Sequence, residues 1–206
     1  MTKIKICGLS RKEDITFANR LLPEYIGFVF AEKSVRRVSK EAASLLKSEL
    51  DGKITAVGVF VNSPSDEIAA LVSEGTISAV QLHGSESEEY IQKLRRQITA
   101  PIIKAFKISS RDDIEKALAS PADFILLDGQ EPGSGNVFDW SLIKNADRPF
   151  FLAGGLCSEN IDGALRLNPY CVDVSSGVES GGIKDFDKMK EFVLRVRANG
   201  KEEIYK

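Results

Sequence analysis

Short apolar runs, rich in β-branched residues, recur along the whole chain and are bounded by turn residues or charges. Such runs are typical of strands buried on both faces of a parallel sheet. The eight runs are Ile4–Cys7, Tyr25–Phe30, Ile54–Val61, Ile77–Leu82, Ile102–Ile108, Phe124–Leu127, Phe150–Leu152 and Cys171–Val174.

The stretches between these runs have the apolar spacing of amphipathic helices. Ile91, Leu94 and Ile98 are spaced i, i+3, i+7. Near the end of the chain, apolar residues follow i, i+3, i+4, i+7, and these are Met189, Phe192, Val193 and Val196.

Helix starts are predicted after four of the runs, where the sequence reads S-x-x-[DE]. In this pattern the serine hydroxyl caps a free backbone N–H, and the acid lies in the positive first turn. The four pairs are Ser10 with Glu13, Ser63 with Asp66, Ser85 with Glu88, and Ser110 with Asp113. Pro64 is predicted at a first helical position, where its missing N–H has no cost.

The alternation of strands and helices predicts a parallel sheet with helices outside it. Eight units are the number that closes a (β/α)8 barrel, although 206 residues are few for one. We expect a single barrel domain over residues 1–206. An open, doubly wound sheet is the structural alternative. It lacks its dinucleotide fingerprint here, because the first run continues as Cys7-Gly8-Leu9-Ser10 and not as GxGxxG.

Composition narrows the class of function. Apolar residues make up 43% and charged residues 28%, and the net charge is -2. Basic residues are not in excess, so the charge gives no indication of nucleic-acid binding. No apolar run has the roughly 18 residues of a membrane span. The start of the chain has no signal-peptide pattern, so we expect a cytoplasmic protein without nucleic-acid or membrane partners. Three scattered cysteines and a single histidine predict neither disulfides nor a metal site.

In a barrel of this class the active face is formed by the carboxyl ends of the strands. Cys7 ends the first run, and it is either a small buried residue or a thiolate base or nucleophile. Asp128 follows the sixth run, as a loop-bracing residue or as a general acid or base. Arg36 and Arg37 are either solvated or placed to recognise a carboxylate.

Small residues after the seventh and eighth runs give the strongest signal that the residues themselves carry. Gly154, Gly155, Ser176 and Gly177 suit a phosphate bound on backbone N–H groups, the alternative being two plain turns. His83 is interpreted as a hydrogen-bonded structural residue. Cys157 and Cys171 are also interpreted as structural, and the scattered aromatic residues form no stacking platform.

Nine motifs occur in the order found in one enzyme family. They are Lys5-Ile6-Cys7-Gly8-Leu9, Ser34-Val35-Arg36-Arg37-Val38, Gly58-Val59-Phe60-Val61, Gln81-Leu82-His83-Gly84, Asp128-Gly129, Gly133-Ser134-Gly135 with Phe138-Asp139-Trp140, Leu152-Ala153-Gly154-Gly155-Leu156 with Asn160, Asp173-Val174-Ser175-Ser176-Gly177-Val178-Glu179, and Gly181-Gly182-Ile183-Lys184-Asp185. Over nearly its whole length the chain resembles the phosphoribosylanthranilate isomerase family of tryptophan biosynthesis. One departure is Val35, where the family usually has proline.

The resemblance implies an Amadori rearrangement of N-(5'-phosphoribosyl)anthranilate, without metal or organic cofactor. By the family pattern Asp128 is the acid that opens the sugar ring, and Cys7 is the base that removes the C2 proton. Arg36 would hold the anthranilate carboxylate, and the glycine turns would hold the phosphate. The expected partner is this small phosphosugar substrate, and we expect a monomer or homodimer.

Two alternatives to this function remain at the level of sequence. The related isomerase of histidine biosynthesis resembles this family but has a carboxylate where Cys7 stands. A non-catalytic phosphate-binding barrel would keep the glycine turns without needing Cys7, Asp128 and Arg36 together.

Overall fold

A computed structural model describes residues 1–129, 139–143 and 146–202, and in it the strands form one closed barrel. All eight barrel strands pair in parallel with their sequence neighbours, and β8 closes the barrel on β1. The strands are β1 (Lys3–Cys7), β2 (Tyr25–Val29), β3 (Thr55–Phe60), β4 (Ala79–Leu82), β5 (Ile102–Lys107), β6 (Phe124–Asp128), β7 (Phe150–Leu152) and β8 (Cys171–Val174). Each overlaps one of the eight predicted runs, so the (β/α)8 prediction is confirmed and the open-sheet alternative is wrong.

Helices follow the strands on the outside of the barrel. They are α1 (Lys12–Leu21), α2 (Lys40–Ser48), α3 (Ser65–Ser73), α4 (Glu88–Arg95), α5 (Arg111–Leu118), α6 (Ile161–Leu165) and α7 (Phe186–Glu202). Between β6 and β7 the described residues contain a short 3-10 helix, Trp140–Ile143, where a full helix was expected. The described helices include none long and apolar enough to cross a membrane.

The four predicted helix starts have different outcomes. The Ser110 prediction is confirmed, since its hydroxyl accepts the N–H of Asp113. The Ser10 prediction is wrong by one residue, because helix α1 is capped by Asp14, whose carboxylate accepts the N–H groups of Ser10 and Arg11. A nearby acid at the right distance therefore replaces the predicted Glu13.

The other two predicted starts are also displaced. Helix α4 is capped by Ser87, whose hydroxyl accepts the N–H of Tyr90, and the side chain of Ser85 instead contacts Asn62. Pro64 occupies the N-cap position of α3, one residue before the position predicted for it, and neither Pro64 nor Ser63 makes a side-chain cap.

The apolar core has two parts. One part lies between the strands and the outer helices and includes Ile91, Leu94 and the predicted apolar face of α7. The other fills the barrel interior around Val57, Leu126 and Phe151. Each fully buried Val, Leu, Ile, Phe or Met side chain contributes roughly 1.5–3 kcal/mol to the free energy of folding. Both parts of the core therefore stabilise the barrel that carries the rim loops.

The carboxyl end of β8 leads into a second short 3-10 helix, Ser176–Val178, and then a small antiparallel hairpin. Its strands are β9 (Glu179–Ser180) and β10 (Ile183–Lys184), paired Ile183 to Ser180 and Lys184 to Glu179. The hairpin places two charged side chains beside the rim of the barrel.

Candidate active site

The strand order fixes where the predicted residues lie around the rim. Asp128 ends β6, the glycine turns follow β7 and β8, Cys7 ends β1, and Arg36 lies in the loop after β2. Because the barrel is closed and parallel, these positions lie at one end of it, in this order. A carboxyl group, two glycine turns, a thiol and a guanidinium therefore succeed one another along a single rim.

Cys7 stands above a buried ion pair inside the barrel. Both carboxylate oxygens of Asp173 accept from the Lys5 ammonium at 2.9 Å. A Cβ atom added to Gly27 would lie 2.7 Å from Cys7 Sγ and 3.3 Å from Lys5 Nζ. Glycine at this position leaves the space in which thiol and ammonium meet.

Electrostatics around the thiol act in opposite directions. Burial raises the pKa of Cys7, and the positive charge of Lys5 opposes this without cancelling it. Burial would lower the pKa of Lys5, but Asp173 and Cys7 outweigh it, so the pKa of Lys5 is raised. Lys5 therefore stays an ammonium, available to stabilise a thiolate.

Asp128 is linked to two polar residues of β4 and its loop. One carboxylate oxygen of Asp128 lies 3.3 Å from His83 Nε2, and the other ring nitrogen, Nδ1, lies 2.9 Å from the amide nitrogen of Gln81. The amide oxygen of Gln81 is buried and has no hydrogen-bond partner among the described residues. His83 is thus hydrogen-bonded to Gln81, as predicted for a structural residue, and it also lies within ion-pair distance of the candidate acid.

The guanidinium of Arg36 is held side-on by a buried carboxylate. Its Nε and Nη2 groups donate to the two oxygens of Glu179, each at 2.7 Å. Lys184 donates to the same carboxylate at 2.5 Å. Burial would raise the pKa of Glu179, but these two cations outweigh it and keep the pKa below its usual range.

The loop that carries Arg36 is ordered by hydrogen bonds of its own. The N–H of Arg36 donates to the Ser34 hydroxyl at 3.1 Å, and the N–H of Arg37 donates to the Ser34 carbonyl at 3.1 Å. Val35, the departure from the family pattern, is 93% exposed and takes no part in these bonds. The lack of a side chain at Gly8 leaves room for the Arg36 side chain, since a Cβ at Gly8 would lie 2.5 Å from Arg36 Cδ.

The glycine turns meet each other and border Asp128. A Cβ on Gly177 would lie 2.0 Å from the carbonyl oxygen of Leu156, and one on Gly154 would lie 2.9 Å from an Asp128 oxygen. Gly154 and Gly155 have φ values of 90° and 67°, which favour glycine. Their N–H groups donate to no backbone carbonyl in the described part of the chain.

Asn160 ties the first of these turns together. Its amide donates to the Gly155 carbonyl at 2.8 Å and accepts the N–H of Cys157 at 3.0 Å. Ser176 and Gly177 begin the 3-10 helix after β8, where the first N–H groups have no partner within the helix. Among the described residues, both turns thus present N–H groups without a backbone partner, of the kind that can bind a phosphate.

Of the predicted site residues, the structure brings Cys7, Asp128, Arg36, Gly154, Gly155, Ser176 and Gly177 to the rim. The motif Gly133-Ser134-Gly135 with Phe138 lies outside the described residues. Cys171 is buried, and Cys157 is half-buried in the loop after β7. Across the described ranges, no three His, Cys, Asp or Glu side chains are grouped to hold a metal ion.

Comparison of the sequence with known proteins identifies one enzyme family. The family model for N-(5'-phosphoribosyl)anthranilate isomerase matches residues 4–195. A relative of that name from Endomicrobium trichonymphae is 48% identical over 203 residues, covering 96% of this chain and all of the relative.

Two similar crystal structures cover 96% of this chain and 100% of their own, each with a TM-score of 0.86 and 38% identity. One is a phosphoribosylanthranilate isomerase in complex with reduced 1-(o-carboxyphenylamino)-1-deoxyribulose 5-phosphate. The other is described as monomers of the dimeric enzyme from Thermotoga maritima.

Proposed function

The chain belongs to the N-(5'-phosphoribosyl)anthranilate isomerase family, and we propose that Asp128 and Cys7 are the acid and the base of its reaction. The chain isomerises N-(5'-phosphoribosyl)anthranilate to 1-(2-carboxyphenylamino)-1-deoxyribulose 5-phosphate in tryptophan biosynthesis. The observation that supports the assignment is the rim order, in which the glycine turns after β7 and β8 separate Asp128 from Cys7.

Asp128 acts first, as a general acid. Its carboxyl group donates a proton to the furanose ring oxygen while the bond from that oxygen to C1 breaks. The lone pair of the anthranilate nitrogen forms a C1=N bond, which leaves a protonated Schiff base. Asp128 ends this step as a carboxylate beside His83.

Cys7 acts second, as a general base. Its thiolate removes the proton from C2, and the electron pair of that bond forms C1=C2 while the C=N pair returns to nitrogen. The resulting enolamine takes a proton at C1 and loses one from the C2 hydroxyl, which gives the ketone. The protonated imine accepts the electron pair from C2. The Lys5 ammonium stabilises the thiolate that removes the C2 proton.

The two ends of the substrate are held apart along the rim. The phosphate lies on the N–H groups of Gly154, Gly155, Ser176 and Gly177, between the acid and the base. The anthranilate carboxylate lies on Arg36, beyond Cys7. Fixing both ends aligns the sugar with both catalytic groups, which can supply several kcal/mol of the barrier lowering.

Replacing Arg36 by lysine tests the carboxylate end. Lysine keeps the charge but loses the planar fork, which at this position must also satisfy Glu179. We expect the affinity for a product analogue that carries the carboxylate to fall by roughly 1–3 kcal/mol. Isothermal titration calorimetry should show an almost unaltered affinity for inorganic phosphate.

Arg37→Lys is the matched control, because Arg37 is the exposed neighbour of Arg36 in the same loop. It should leave both affinities unchanged. Equal weakening of both ligands by Arg36→Lys would mean that Arg36 supports the whole loop. Weakening by Arg37→Lys alone would transfer carboxylate recognition to Arg37.

Gly177→Ala tests the phosphate turns. The new Cβ would lie 2.0 Å from the Leu156 carbonyl oxygen, so the two turns must move apart. We expect the free energy of unfolding to fall by about 1–3 kcal/mol, the usual cost of overpacking, with weaker binding of inorganic phosphate. Urea unfolding and calorimetry measure the two effects. Gly52→Ala is the control, since a Cβ at Gly52 meets nothing within 4 Å, and a similar loss there would refute the steric argument.

A cytoplasmic location and a monomeric or homodimeric state complete the proposal. The location is supported by the biosynthetic role of the family. The dimeric alternative is supported by the similar enzyme from Thermotoga maritima, which is described as dimeric. Light scattering of the purified chain distinguishes the two states.

A further inference from the structure

A guanidinium group presents two forks of paired N–H donors, one side-on at Nε and Nη2 and one end-on at Nη1 and Nη2. In this protein Glu179 occupies the side-on fork of Arg36 completely, with two bonds of 2.7 Å. Nη1 has no hydrogen-bond partner among the described residues, which leaves the end-on fork available. The orientation of the guanidinium is therefore set by Glu179.

The charges around this fork are unbalanced. Arg36 and Lys184 contribute two positive charges, and Glu179 contributes one negative charge. The side chains of Glu179 and Lys184 are 5% and 1% exposed, whereas that of Arg36 is 28% exposed. Arg36 is the member of this trio through which solvent or a ligand can reach the charges.

Glu179 is anchored independently of Arg36. The Lys188 ammonium donates to the Glu179 carbonyl at 2.8 Å, and the N–H of Asp185 donates to the Val178 carbonyl at 3.0 Å. Arg11 donates to the carbonyl of Lys184, the residue paired with Glu179 across the hairpin. The carboxylate is therefore fixed by the hairpin and can serve as a rigid support for the arginine.

We propose that Glu179 is a positioning residue that holds Arg36 side-on, so that its end-on fork receives the carboxylate of the substrate. The inference rests on the proposed role of Arg36 and extends it to a residue that acts through Arg36. Specificity for a carboxylate on the aromatic ring then depends on Glu179, which itself touches no substrate atom. The substrate carboxylate adds to the Glu179 pair and does not displace it.

Two probes separate recognition of the carboxylate from binding of the remainder of the ligand. One is the reduced product analogue with its 2-carboxyphenyl group, and the other is the same compound with an unsubstituted phenyl ring. The ratio of their dissociation constants, obtained by calorimetry, measures how strongly the protein prefers the carboxylate. A structural role for Glu179 would weaken both probes together and leave this ratio unchanged.

Glu179→Gln is expected to lower the preference ratio by about tenfold, because a glutamine amide can accept only one of the two arginine bonds. The KM should rise more than kcat falls, since Cys7 and Asp128 are unchanged. Arg36→Met should lower the ratio at least as much, and the double variant should be no worse than Arg36→Met alone. If Glu179→Gln folds poorly, Glu179→Asp takes its place. It keeps the charge but shortens the reach, so it should also lower the ratio.

Glu191→Gln is the matched control, because Glu191 also pairs with an arginine, Arg195, but does so on the outer face of α7. It should leave the ratio unchanged. An unchanged or increased ratio in Glu179→Gln, with the ratio lowered in Arg36→Met, would overturn the role of Glu179 and leave that of Arg36 intact. An unchanged ratio in Arg36→Met would overturn both.

Discussion

Asp128→Asn is expected to lower kcat by at least about 10²-fold, and up to about 10⁴-fold, while the protein stays folded. The amide has nearly the volume of the carboxyl group and can keep the polar contact with His83, whose Nε2 lies 3.3 Å from the carboxylate. It has no proton to transfer to the ring oxygen, so the ring no longer opens with assistance. The fluorescence of the anthranilate group changes when the substrate isomerises, which gives a continuous assay.

Asp112→Asn is the control for this prediction. Asp112 is exposed on α5, so the substitution makes the same chemical change away from the rim. Its kcat should equal that of the unmodified protein. Normal turnover in a folded Asp128→Asn protein would place the acid at another residue, with His83 the first to examine.

Cys7→Ala is expected to lower kcat by at least about 10²-fold as well. The variant removes the base, but it leaves the phosphate turns untouched, so calorimetry should show normal phosphate affinity. Cys7→Ser should be similarly impaired, because a serine hydroxyl ionises far less readily than a thiol and so supplies almost no anionic base beside Lys5. In the unmodified protein the pKa of the Cys7 thiol is raised. The kcat should therefore increase as the pH rises and a larger fraction of Cys7 becomes thiolate.

Cys157→Ala provides the comparison for a thiol that is not at the base position. Cys157 is half-buried in the loop after β7, and its loss should leave turnover unchanged. Near-normal turnover in Cys7→Ala would instead return Cys7 to a packing role.

The barrel itself could be predicted because hydrophobic spacing reports burial, and burial on both faces is what parallel strands require. The eight runs therefore corresponded to β1 to β8 with boundaries displaced by at most two residues. Helix starts were less predictable, since several residues near each start can cap it. Asp14 and Ser87 did so in place of the residues predicted from Ser10 and Ser85.

The place of a residue on the rim was predictable where the residue ends a strand, as Cys7 and Asp128 do. The contacts of Arg36 could not be derived in this way, because Glu179 lies 143 positions further along the chain and reaches it through the β9–β10 hairpin. The contact between His83 and Asp128 likewise depends on closure of the barrel. The sequence did contain one signal for this hairpin. Glu179 and Lys184 are charged residues in a glycine-rich stretch after the final barrel strand, and such a stretch suggests a hairpin at the rim.

The most direct test of the acid and base assignment is the kinetic isotope effect produced by deuterium at C2 of the sugar. In Cys7→Ser, breaking the C2–H bond becomes slower relative to ring opening, so the isotope effect on turnover should increase above that of the unmodified protein. In Asp128→Asn, ring opening becomes limiting, so the effect should fall toward unity. A fall in Cys7→Ser with an increase in Asp128→Asn would exchange the two roles, and no change in either variant would contradict the assignment altogether.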